Sequence, residues 1–331
     1  MATRFSAGTL ARTLVICGVV AVLALAAGAA FGEQPLDLSR ARVDGSVEQV
    51  ILFSVRLPRV VLAALVGAAL AASGAMLQSL LRNPLADPFV LGTSGGAALG
   101  ATVALAFGAS VDFLPPVAVM ALAGALAATG LVLTVGRLTG GDTSTSTLLA
   151  GVIFNAFALA AITFIKALVA PDKLGEVLFW LAGKLDTHSW PTLGAVALVV
   201  GLSLAALVAL SPRLNLLSLG EEDARSLGVD VARTRLVLLV TASLGVAAAV
   251  SLSGLVGFVG LLVPHLARLL FGADQRVSLP ASALLGAAFL VLADLAARLL
   301  FRVFATEPPV GVITSLLGGP LFLLLLARGR R

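Results

Sequence analysis

Apolar runs long enough to cross a membrane as helices fill most of this chain of 331 residues. Each run is about 16 to 25 residues long, and a helix of about 20 residues spans a hydrocarbon core of about 30 Å. The runs are too long for strands of a membrane barrel, which need only about ten residues. With 59% hydrophobic and 12% charged residues, the composition also lies outside the range of soluble domains. The sequence therefore predicts an all-α integral membrane protein with one transmembrane domain over residues 1–331.

Ten such runs are predicted to form transmembrane helices. They occupy residues 10–31, 58–81, 88–109, 113–137, 146–170, 191–210, 235–254, 256–271, 279–300 and 309–327. The eighth run is short and contains Pro264, so we expect a broken or partial helix there. The first run follows Arg4 and Arg12 and ends in small residues, as signal peptides do. Its length of about 20 residues favours a retained span, and a cleaved signal peptide is the alternative.

Charged residues are distributed unequally between the two sides that these spans define. Ten spans place both termini on one side, and the segments on that side carry 13 of the 22 Lys and Arg residues but only seven of the 17 acidic residues. The positive-inside rule makes that side cytoplasmic. We therefore expect a multi-pass protein in contact with lipid, with both termini in the cytoplasm. The net charge of +5 follows from this topology and indicates no nucleic-acid partner.

One long polar segment, residues 215–235, interrupts the apolar pattern on the predicted cytoplasmic side. Apolar residues three apart lie on both sides of Gly220, which predicts two short amphipathic helices joined by a flexible residue. Three acidic residues fill the first turn of the second helix, and Gly228 can end it. Helix–helix connections need only a few residues. The length therefore predicts a docking surface for a cytoplasmic partner, with a solvated surface helix as the alternative.

The sequence contains no motif for nucleotide or metal chemistry. It has no phosphate-binding loop and no His-Glu-x-x-His, and its two histidines, His188 and His265, are far apart in the chain. We therefore expect no catalytic residue, no metal site and no cofactor bound by this chain. His265 is expected to be a packed or interfacial side chain.

An ion-coupled secondary transporter is an alternative, because such proteins hold ionisable groups deep in the membrane. The candidates here are Asn155, Lys166 and Asp294. We expect Lys166 and Asp294 to lie near span ends, where their charges reach the interface. Since most spans carry no charge, the energy source is expected outside this chain, at the docking surface.

A weak internal repeat relates the two halves of the chain. Arg59, Gly67, Gly74 and Pro84 recur as Arg235, Gly245, Gly254 and Pro264, at offsets of 176 to 180 residues. In the predicted topology the first copy runs inward and the second outward, which is the arrangement of inverted repeats in transporters. Coincidence in a chain so rich in Ala, Leu and Gly is the alternative.

Several motifs along the chain resemble the signature of FecCD-type permeases. They are RLPR at 56–59, NPLADP at 83–88, STS at 144–146, the 220–235 segment, GFVGLLVPHLARLLFG at 257–272, Ala293-Asp294 with Arg298, and EPPVGVITSLLGGPLF at 307–322. They follow the family's order and cover most of residues 56–327. The chain thus resembles the membrane subunits of ATP-binding-cassette (ABC) importers for iron–siderophores, haem and cobalamin.

The resemblance implies a type II ABC importer permease fold with ten helices and an inverted repeat, in the bacterial inner membrane. It implies three kinds of protein partner: a second permease subunit, expected to form a homodimer; two cytoplasmic ATPase subunits, which bind ATP and Mg; and an extracytoplasmic substrate-binding protein. The cargo that it implies first is an iron–siderophore complex, moved by alternating access, with cobalamin or haem as alternatives. The chain itself is expected to break no bond.

The resemblance also assigns roles to four groups of residues. ATPase coupling is assigned to Leu219, Gly220, Glu221, Glu222, Asp223, Arg225, Leu227 and Gly228, in paired coupling helices within 215–231. Docking of the binding protein is assigned to Arg56, Arg59 and Arg298, at positions where family members present arginines outward. The cytoplasmic gate is assigned to Thr145 and Ser146, and the shared structural motif is Asn83, Pro84, Leu85, Ala86, Asp87 and Pro88.

Each assignment has a structural alternative. Arg56 and Arg59 are alternatively interfacial anchors that snorkel, and Arg298 alternatively pairs with Asp294 one helical turn away. Residues 144–146 alternatively cap a helix N-terminus. Four glycines are expected to serve close helix packing rather than to cradle a ligand, namely Gly92, Gly95, Gly96 and Gly100.

Overall fold

The protein is a helical bundle in the computed structural model, which describes residues 6–34, 37, 40–108, 115–138 and 143–328. Every regular element within those residues is helical, as predicted. The α-helices are α1 (Ala7–Ala30), α2 (Val47–Val50), α3 (Leu57–Leu80), α4 (Thr93–Phe107), α5 (Pro116–Leu138), α6 (Thr143–Leu168), α7 (Pro171–Leu181), α8 (Trp190–Leu219), α9 (Glu221–Ser226), α10 (Val231–Ser253), α11 (Val259–Phe271), α12 (Gln275–Phe304) and α13 (Val310–Arg328). A π-helical turn, Ile51–Arg56, joins α2 to α3 without a break.

Seven helices of the described residues are long and apolar enough to cross a membrane. They are α1, the continuous α2–α3 helix, α5, α6, α8, α10 and α12. Three further apolar helices, α4, α11 and α13, are shorter within the described residues. The prediction of about ten transmembrane helices is therefore confirmed, with three of the ten short. A further helix of 11 residues, α7, lies between two predicted spans.

Helix α3 lies at the centre of the bundle, against α8, α10, α11 and α12. It approaches two of these neighbours closely because glycines face each other. A Cβ atom on Gly67 would lie 2.1 Å from the carbonyl oxygen of Gly286 on α12, and one on Gly74 would lie 1.9 Å from that of Gly260 on α11. Neither crossing has room for a side chain, so these two glycine pairs fix where α12 and α11 cross α3.

The glycines of α4 also serve close packing, as predicted. A Cβ atom on Gly96 would lie 2.3 Å from the carbonyl oxygen of Gly124, and one on Gly100 would lie 2.0 Å from that of Met120. Both acceptor residues belong to α5. The α4–α5 pair is therefore in backbone contact, with no space for a ligand between the two helices.

A polar side chain from α6 holds the start of α4. Asn155 accepts a hydrogen bond from the backbone N–H of Gly95 at 3.2 Å and donates one to the carbonyl oxygen of Phe89 at 3.0 Å. Gly92, between them, has the left-handed φ of 80° that glycine adopts without strain. Asn155 therefore satisfies irregular backbone inside the bundle, which is how broken helices are tolerated in membranes.

Helix α11 is a partial helix of 13 residues, which confirms that alternative of the prediction, and it is not broken at Pro264. A proline inside a helix frees the carbonyl oxygen four residues earlier. Here that oxygen belongs to Gly260, and Gln78 of α3 donates its amide to it at 3.1 Å and to Leu261 at 3.2 Å. The side chain of Gln78 replaces the missing helical hydrogen bond, so α11 continues through Pro264.

The polar segment at 215–235 forms one separate helix instead of two. Helix α8 runs without a break through Pro212 to Leu219, and only α9 stands alone. The reason is packing, because Leu214 and Leu217 are buried and extend the apolar face of α8 beyond the predicted span. The expected first amphipathic helix is therefore the end of a transmembrane helix.

The bundle has two ends, which we name by the elements that lie there. The α9 side carries α9, the ends of α3 and α8, and the start of α12. The α2 side carries α2, the ends of α1 and α12, and the start of α13. A long, a short and a long helix follow one another in α3–α5 and again in α10–α12. That order agrees with an inverted repeat, and the residue-level repeat stays a prediction.

Candidate functional site

Helix α9 folds back against α10 on the α9 side. Gly220 has φ 156° and ψ 152°, a backbone region that glycine enters readily and other residues avoid, and this permits the sharp reversal after α8. Ala224 is completely buried beneath the helix. Gly228, at φ 83°, donates its N–H to the carbonyl oxygen of Arg225 at 2.9 Å. The predicted end of this helix at Gly228 is confirmed.

Ion pairs hold α9 on α10. Glu221 accepts a hydrogen bond from Arg225 within the helix, at 3.4 Å, and another from Arg235 on α10. The side chain of Arg235 is only 13% exposed, whereas that of Glu221 is 36% exposed, so water reaches this pair from the Glu221 side. Glu222 and Asp223, in contrast, are exposed. The three acidic residues therefore divide into one that fixes the helix and two that face outward.

A cavity of about 710 Å³ opens beside α9, and we call it the α9 cavity. Residues 220–223 line it together with Arg82 and Asn83, at the end of α3. Leu219 and Leu227 are 63% and 60% exposed on the same segment. Acidic side chains that line a cavity, with exposed leucines on the same segment, form a surface that suits a protein partner.

The NPLADP motif reverses the chain between α3 and α4, and its start meets the α9 cavity. The side chain of Asn83 accepts the N–H of Leu85 at 2.9 Å, and that of Asp87 accepts the N–H of Phe89 at 2.8 Å. Asp87 thereby caps a 3₁₀ turn that begins at the buried Pro88. These contacts agree with the expected role of the prolines in stopping one helix and starting the next.

Asp274 joins the start of α12 to the end of α8, next to this surface. Its carboxylate accepts hydrogen bonds from the guanidinium and the backbone N–H of Arg276, and from the amide of Asn215 at 2.7 Å. These hydrogen bonds, chiefly the one from the Arg276 side chain, hold the pKa of the Asp274 carboxyl below its ordinary value. The junction therefore keeps α8 and α12 together where α9 leaves the bundle.

The predicted gate residues lie in the first turn of α6. This helix begins at Thr143, so Ser146 lies inside it and does not cap it. The side chains of Thr143 and Ser144 lie outside the described residues, and their capping role stays a prediction. Ser146 is half-buried. The side chain of Thr145 lies outside the described residues, and the gating role of both residues stays a prediction.

At the α2 side, four charged side chains form a cluster that joins α3 to α12. Arg59 donates its Nε to Asp294 at 2.8 Å and its two terminal nitrogens to Glu307, which lies in the link between α12 and α13. Arg298 Nε lies 3.0 Å from the second oxygen of Asp294. Two cations and two anions therefore balance each other, as buried charges require. We call Arg59, Asp294, Arg298 and Glu307 the charge cluster.

Arginines also hold the C-terminal end of α1. The carbonyl oxygens of all seven residues from 28 to 34 accept hydrogen bonds from Arg56, Arg298 or Arg302. The end of a helix leaves such carbonyl groups unpaired and favours positive charge. Cys17, in the middle of α1, is completely buried. The first span therefore packs as part of this bundle, and its retention stays a prediction.

The three arginines predicted to face outward do not do so in this structure. Arg56 and Arg298 are 6% and 4% exposed, and their terminal nitrogens donate to backbone carbonyl oxygens of the same chain. The alternative pairing of Arg298 with Asp294 is confirmed. The expectation that Asp294 reaches the interface is wrong, because it is completely buried and the two arginines offset its charge. A docking role for Arg56, Arg59 and Arg298 stays a prediction.

Sequence reasoning missed two members of this region, Glu307 and Arg302. Glu307 is the acid immediately before Pro308 and Pro309 at the start of the last span. A carboxylate at a span start, with an arginine at the start of another span on the same side, was the available signal. Arg302 follows Arg298 by one turn and so faces the same helix end.

Within the described residues, no three His, Cys, Asp or Glu side chains lie close enough together to hold a metal ion. The ring of His265 packs edge-on against Phe322 of α13, with ring centroids 5.9 Å apart, so the prediction of a packed residue is confirmed. His188 lies 3.3 Å from the carbonyl oxygen of Leu252. Lys166 lies in the last turn of α6, near a span end as expected.

Comparison with known proteins agrees with this arrangement. The profile of the FecCD transport family matches residues 13–328. The cobalamin import system permease protein BtuC of Halobacterium salinarum is 47% identical over 283 residues, which are 84% of this chain and 73% of that protein. An iron chelatin transport system permease protein of Helicobacter pylori is 42% identical over 281 residues, which are 85% of this chain and 83% of that protein.

A solved structure has the same fold, that of an inward-facing ABC transporter described as of the metal-chelate type. Its chain is 34% identical, with a TM-score of 0.84, and the alignment covers 96% of this chain and 99% of that one. Proteins of this family are multi-pass membrane subunits, and the ATPase of the importer is a separate partner. The match extends over nearly the whole chain, which therefore belongs to the FecCD transport family and is an ABC importer permease of that type.

Proposed function

We propose that this chain is the subunit through which an importer moves an iron–siderophore complex across the bacterial inner membrane into the cytoplasm. The observation that carries the proposal is the surface around the α9 cavity. The exposed Glu222 and Asp223 line that cavity, and Glu221 fixes α9 on α10. The exposed Leu219 and Leu227 lie on the same segment. The chain has no phosphate-binding loop of its own, so ATP must act through such a surface.

In this proposal the α9 side is cytoplasmic and receives two ATPase subunits, which bind ATP and Mg. Their movement would displace α9 as a rigid element, because Glu221 pairs with Arg235 on α10 and Ala224 is buried. Helix α10 in turn packs against the central α3 and against α8. A push at α9 therefore reaches the middle of the bundle, where it can switch the chain between outward and inward openings.

A second copy of this chain completes the pathway in the proposal. Helix α6 presents an exposed apolar face that includes Leu149, Val152 and Ile153, and Ser146 lies in its first turn. If Thr145 and Ser146 form the inner gate, cysteines at these positions in a Cys17→Ala background should crosslink between subunits in one nucleotide state and less in another. State-independent failure to crosslink, in an active dimer, would contradict the gate.

Cobalamin is the second candidate cargo. The name of the relative that is 47% identical refers to cobalamin, and the name of the relative that is 42% identical refers to iron chelatin. The buried residues of this chain are mostly Ala, Val, Leu and Gly, which offer few hydrogen bonds to a particular cargo. We place the iron–siderophore complex first because iron chelates are the broadest cargo class that the family resemblance implies.

Uptake assays test both the transport function and the cargo. The chain is expressed with its neighbouring ATPase and binding-protein genes in cells that lack their own permeases of this family. We expect these cells to accumulate radiolabelled ferric siderophore, and to stop when the ATPase is inactivated. Accumulation of labelled cobalamin alone, or of labelled haem alone, would assign that molecule as the cargo in place of the iron–siderophore complex. Failure to accumulate any of the three, by an assembled complex in the membrane, would contradict the importer function.

A further inference from the structure

Glu307 is the most exposed member of the charge cluster on the α2 side. Its side chain is 28% exposed, compared with 14% for Arg59, 5% for Arg298 and none for Asp294. A cavity of about 200 Å³ opens beside the cluster and is lined by three guanidinium groups, including that of Arg59, with Glu33 as its one carboxylate. The positive charge and the small volume of this cavity suit an acidic side chain from a partner protein.

The guanidinium of Arg59 already holds two carboxylates. Its Nε and Nη2 face Asp294 at 2.8 and 2.7 Å, and its Nη1 and Nη2 face Glu307. A guanidinium binds a carboxylate best through two parallel hydrogen bonds along one edge. Both edges that suit such binding are occupied, so a third carboxylate can pair fully with Arg59 only by displacing one of the two.

The two carboxylates differ in how firmly they are held. Asp294 lies inside α12, is completely buried and also faces Arg298. Glu307 has Arg59 as its ion-pair partner and lies in a non-helical link, where Ala305 has a φ of 53° and two prolines follow. Glu307 is therefore the carboxylate that can be exchanged.

Glu307 also lies close to the start of α13. The helix begins three residues later, at Val310, and packs against α11 and α12 instead of the central α3. The Arg59–Glu307 pair thus ties the α12–α13 link to α3 across a sequence separation of 248 residues. Without this pair, the start of α13 is held by the buried Val310 and Ile313 and by the N–H of Gly311, which lies 3.3 Å from a backbone carbonyl oxygen.

We propose that Glu307 is an internal substitute for a carboxylate of the docking protein. When the partner's acidic side chain takes the place of Glu307 on Arg59, the α12–α13 link is released and α13 moves at the α2 side. The exchange of one carboxylate for another on Arg59 then couples docking of the partner to the movement of α13. The inference rests on the proposed function in that the partner is the importer's extracytoplasmic binding protein.

The first test uses the chain without any partner. Val312, in the first turn of α13, is 38% exposed, and a cysteine is placed there in a Cys17→Ala background to measure its reaction with a water-soluble maleimide in membranes. Glu307→Gln should speed the reaction about tenfold, which corresponds to about 1.4 kcal/mol. Glu33→Gln is the matched control, because it removes a carboxylate from the same cavity without touching Arg59. Equal maleimide reaction rates in Glu307→Gln and Glu33→Gln would overturn the proposal that the Arg59–Glu307 pair restrains α13.

The second test measures docking to the assembled permease–ATPase complex in nanodiscs, with a substrate-binding protein from the same organism as the probe. Glu307→Gln should bind about tenfold more tightly than the native complex, since no internal carboxylate competes, and Glu307→Asp should fall between the two. Unchanged or weaker binding in Glu307→Gln would overturn the exchange. If the binding protein docks to neither the native complex nor the variant, while the maleimide rate rises in Glu307→Gln, the proposed function fails. The restraint of α13 by the Arg59–Glu307 pair is then still supported.

Discussion

Replacement of Asp294 by Asn removes the central anion of the charge cluster with almost no change in volume. In the native protein this carboxylate is completely buried and faces Arg59 and Arg298 at 2.7 and 3.0 Å. After the change, Arg59 keeps Glu307, but Arg298 keeps only neutral carbonyl oxygens at the end of α1. One buried cation therefore loses its counter-charge.

The expected loss of stability follows from the one buried cation that is left without a counter-charge. Removal of one partner of a buried ion pair typically costs about 3–5 kcal/mol. We expect about 3 kcal/mol, because the carbonyl oxygens of Gly28 and Phe31 continue to accept hydrogen bonds from Arg298. At about 2–4 °C per kcal/mol, the apparent melting temperature should fall by at least about 6 °C.

The single cysteine of the chain supplies the assay. Cys17 is completely buried in α1, so a thiol-reactive fluorophore reports its exposure when purified protein in detergent is heated. Native protein and variants are compared at one heating rate, because unfolding of such a protein is irreversible and the apparent midpoint depends on the rate.

A second substitution shows whether the unpaired charge of Arg298 causes the loss of stability. Arg298→Gln in the Asp294→Asn background removes the unpaired cation and keeps a donor for the end of α1. The double variant should be less destabilised than the sum of the single variants by about 1 kcal/mol or more. A fall of less than about 1 °C in Asp294→Asn, or strictly additive effects in the double variant, would refute the reasoning.

Three further changes test other parts of the structure. Gly74→Ala places a Cβ atom 1.9 Å from backbone on α11 and should cost at least about 1–3 kcal/mol in the same thermal assay, whereas Gly130→Ala, with nothing within 4 Å of its Cβ atom, should cost nothing measurable. Because the folded protein lowers the pKa of Asp274, its charged form stabilises the fold above the ordinary pKa of about 3.9. Asp274→Asn should therefore melt below the native protein at pH 7, and the difference should vanish as the pH falls through the lowered pKa. Charge reversal of the exposed Glu222 and Asp223 to Lys should reduce co-purification of the ATPase while membrane insertion is unchanged; undiminished co-purification would contradict docking at α9.

Local patterns in the sequence predicted the elements whose causes are local. Hydropathy located the spans because the thickness of the hydrocarbon core sets their length. The end of α9 was predictable at Gly228, because the left-handed φ there suits glycine. The polar segment at 215–235 was recognisable because its charged residues interrupt an otherwise apolar chain.

The remaining features depend on partners that are distant in the sequence. Arg59 and Asp294 are 235 residues apart, and nothing near either residue shows that they pair. An arginine at a span start has the same local pattern whether it anchors at the interface or holds a buried carboxylate. Likewise, the passage of α11 through Pro264 depends on Gln78 of another helix.

The capping of α1 by arginines of α12 has a consequence for the order of assembly. The last carbonyl groups of α1 find their donor Arg298 some 270 residues further along the chain. At a synthesis rate of about 5–20 residues per second, the first helix waits on the order of tens of seconds in the membrane before that donor exists. Until then only interfacial water and Arg56 can satisfy its end. Helix α1 is therefore among the last of the described helices to reach its final place, and a ribosome that stalls before α12 leaves a chain in which the end of α1 still lacks its donor.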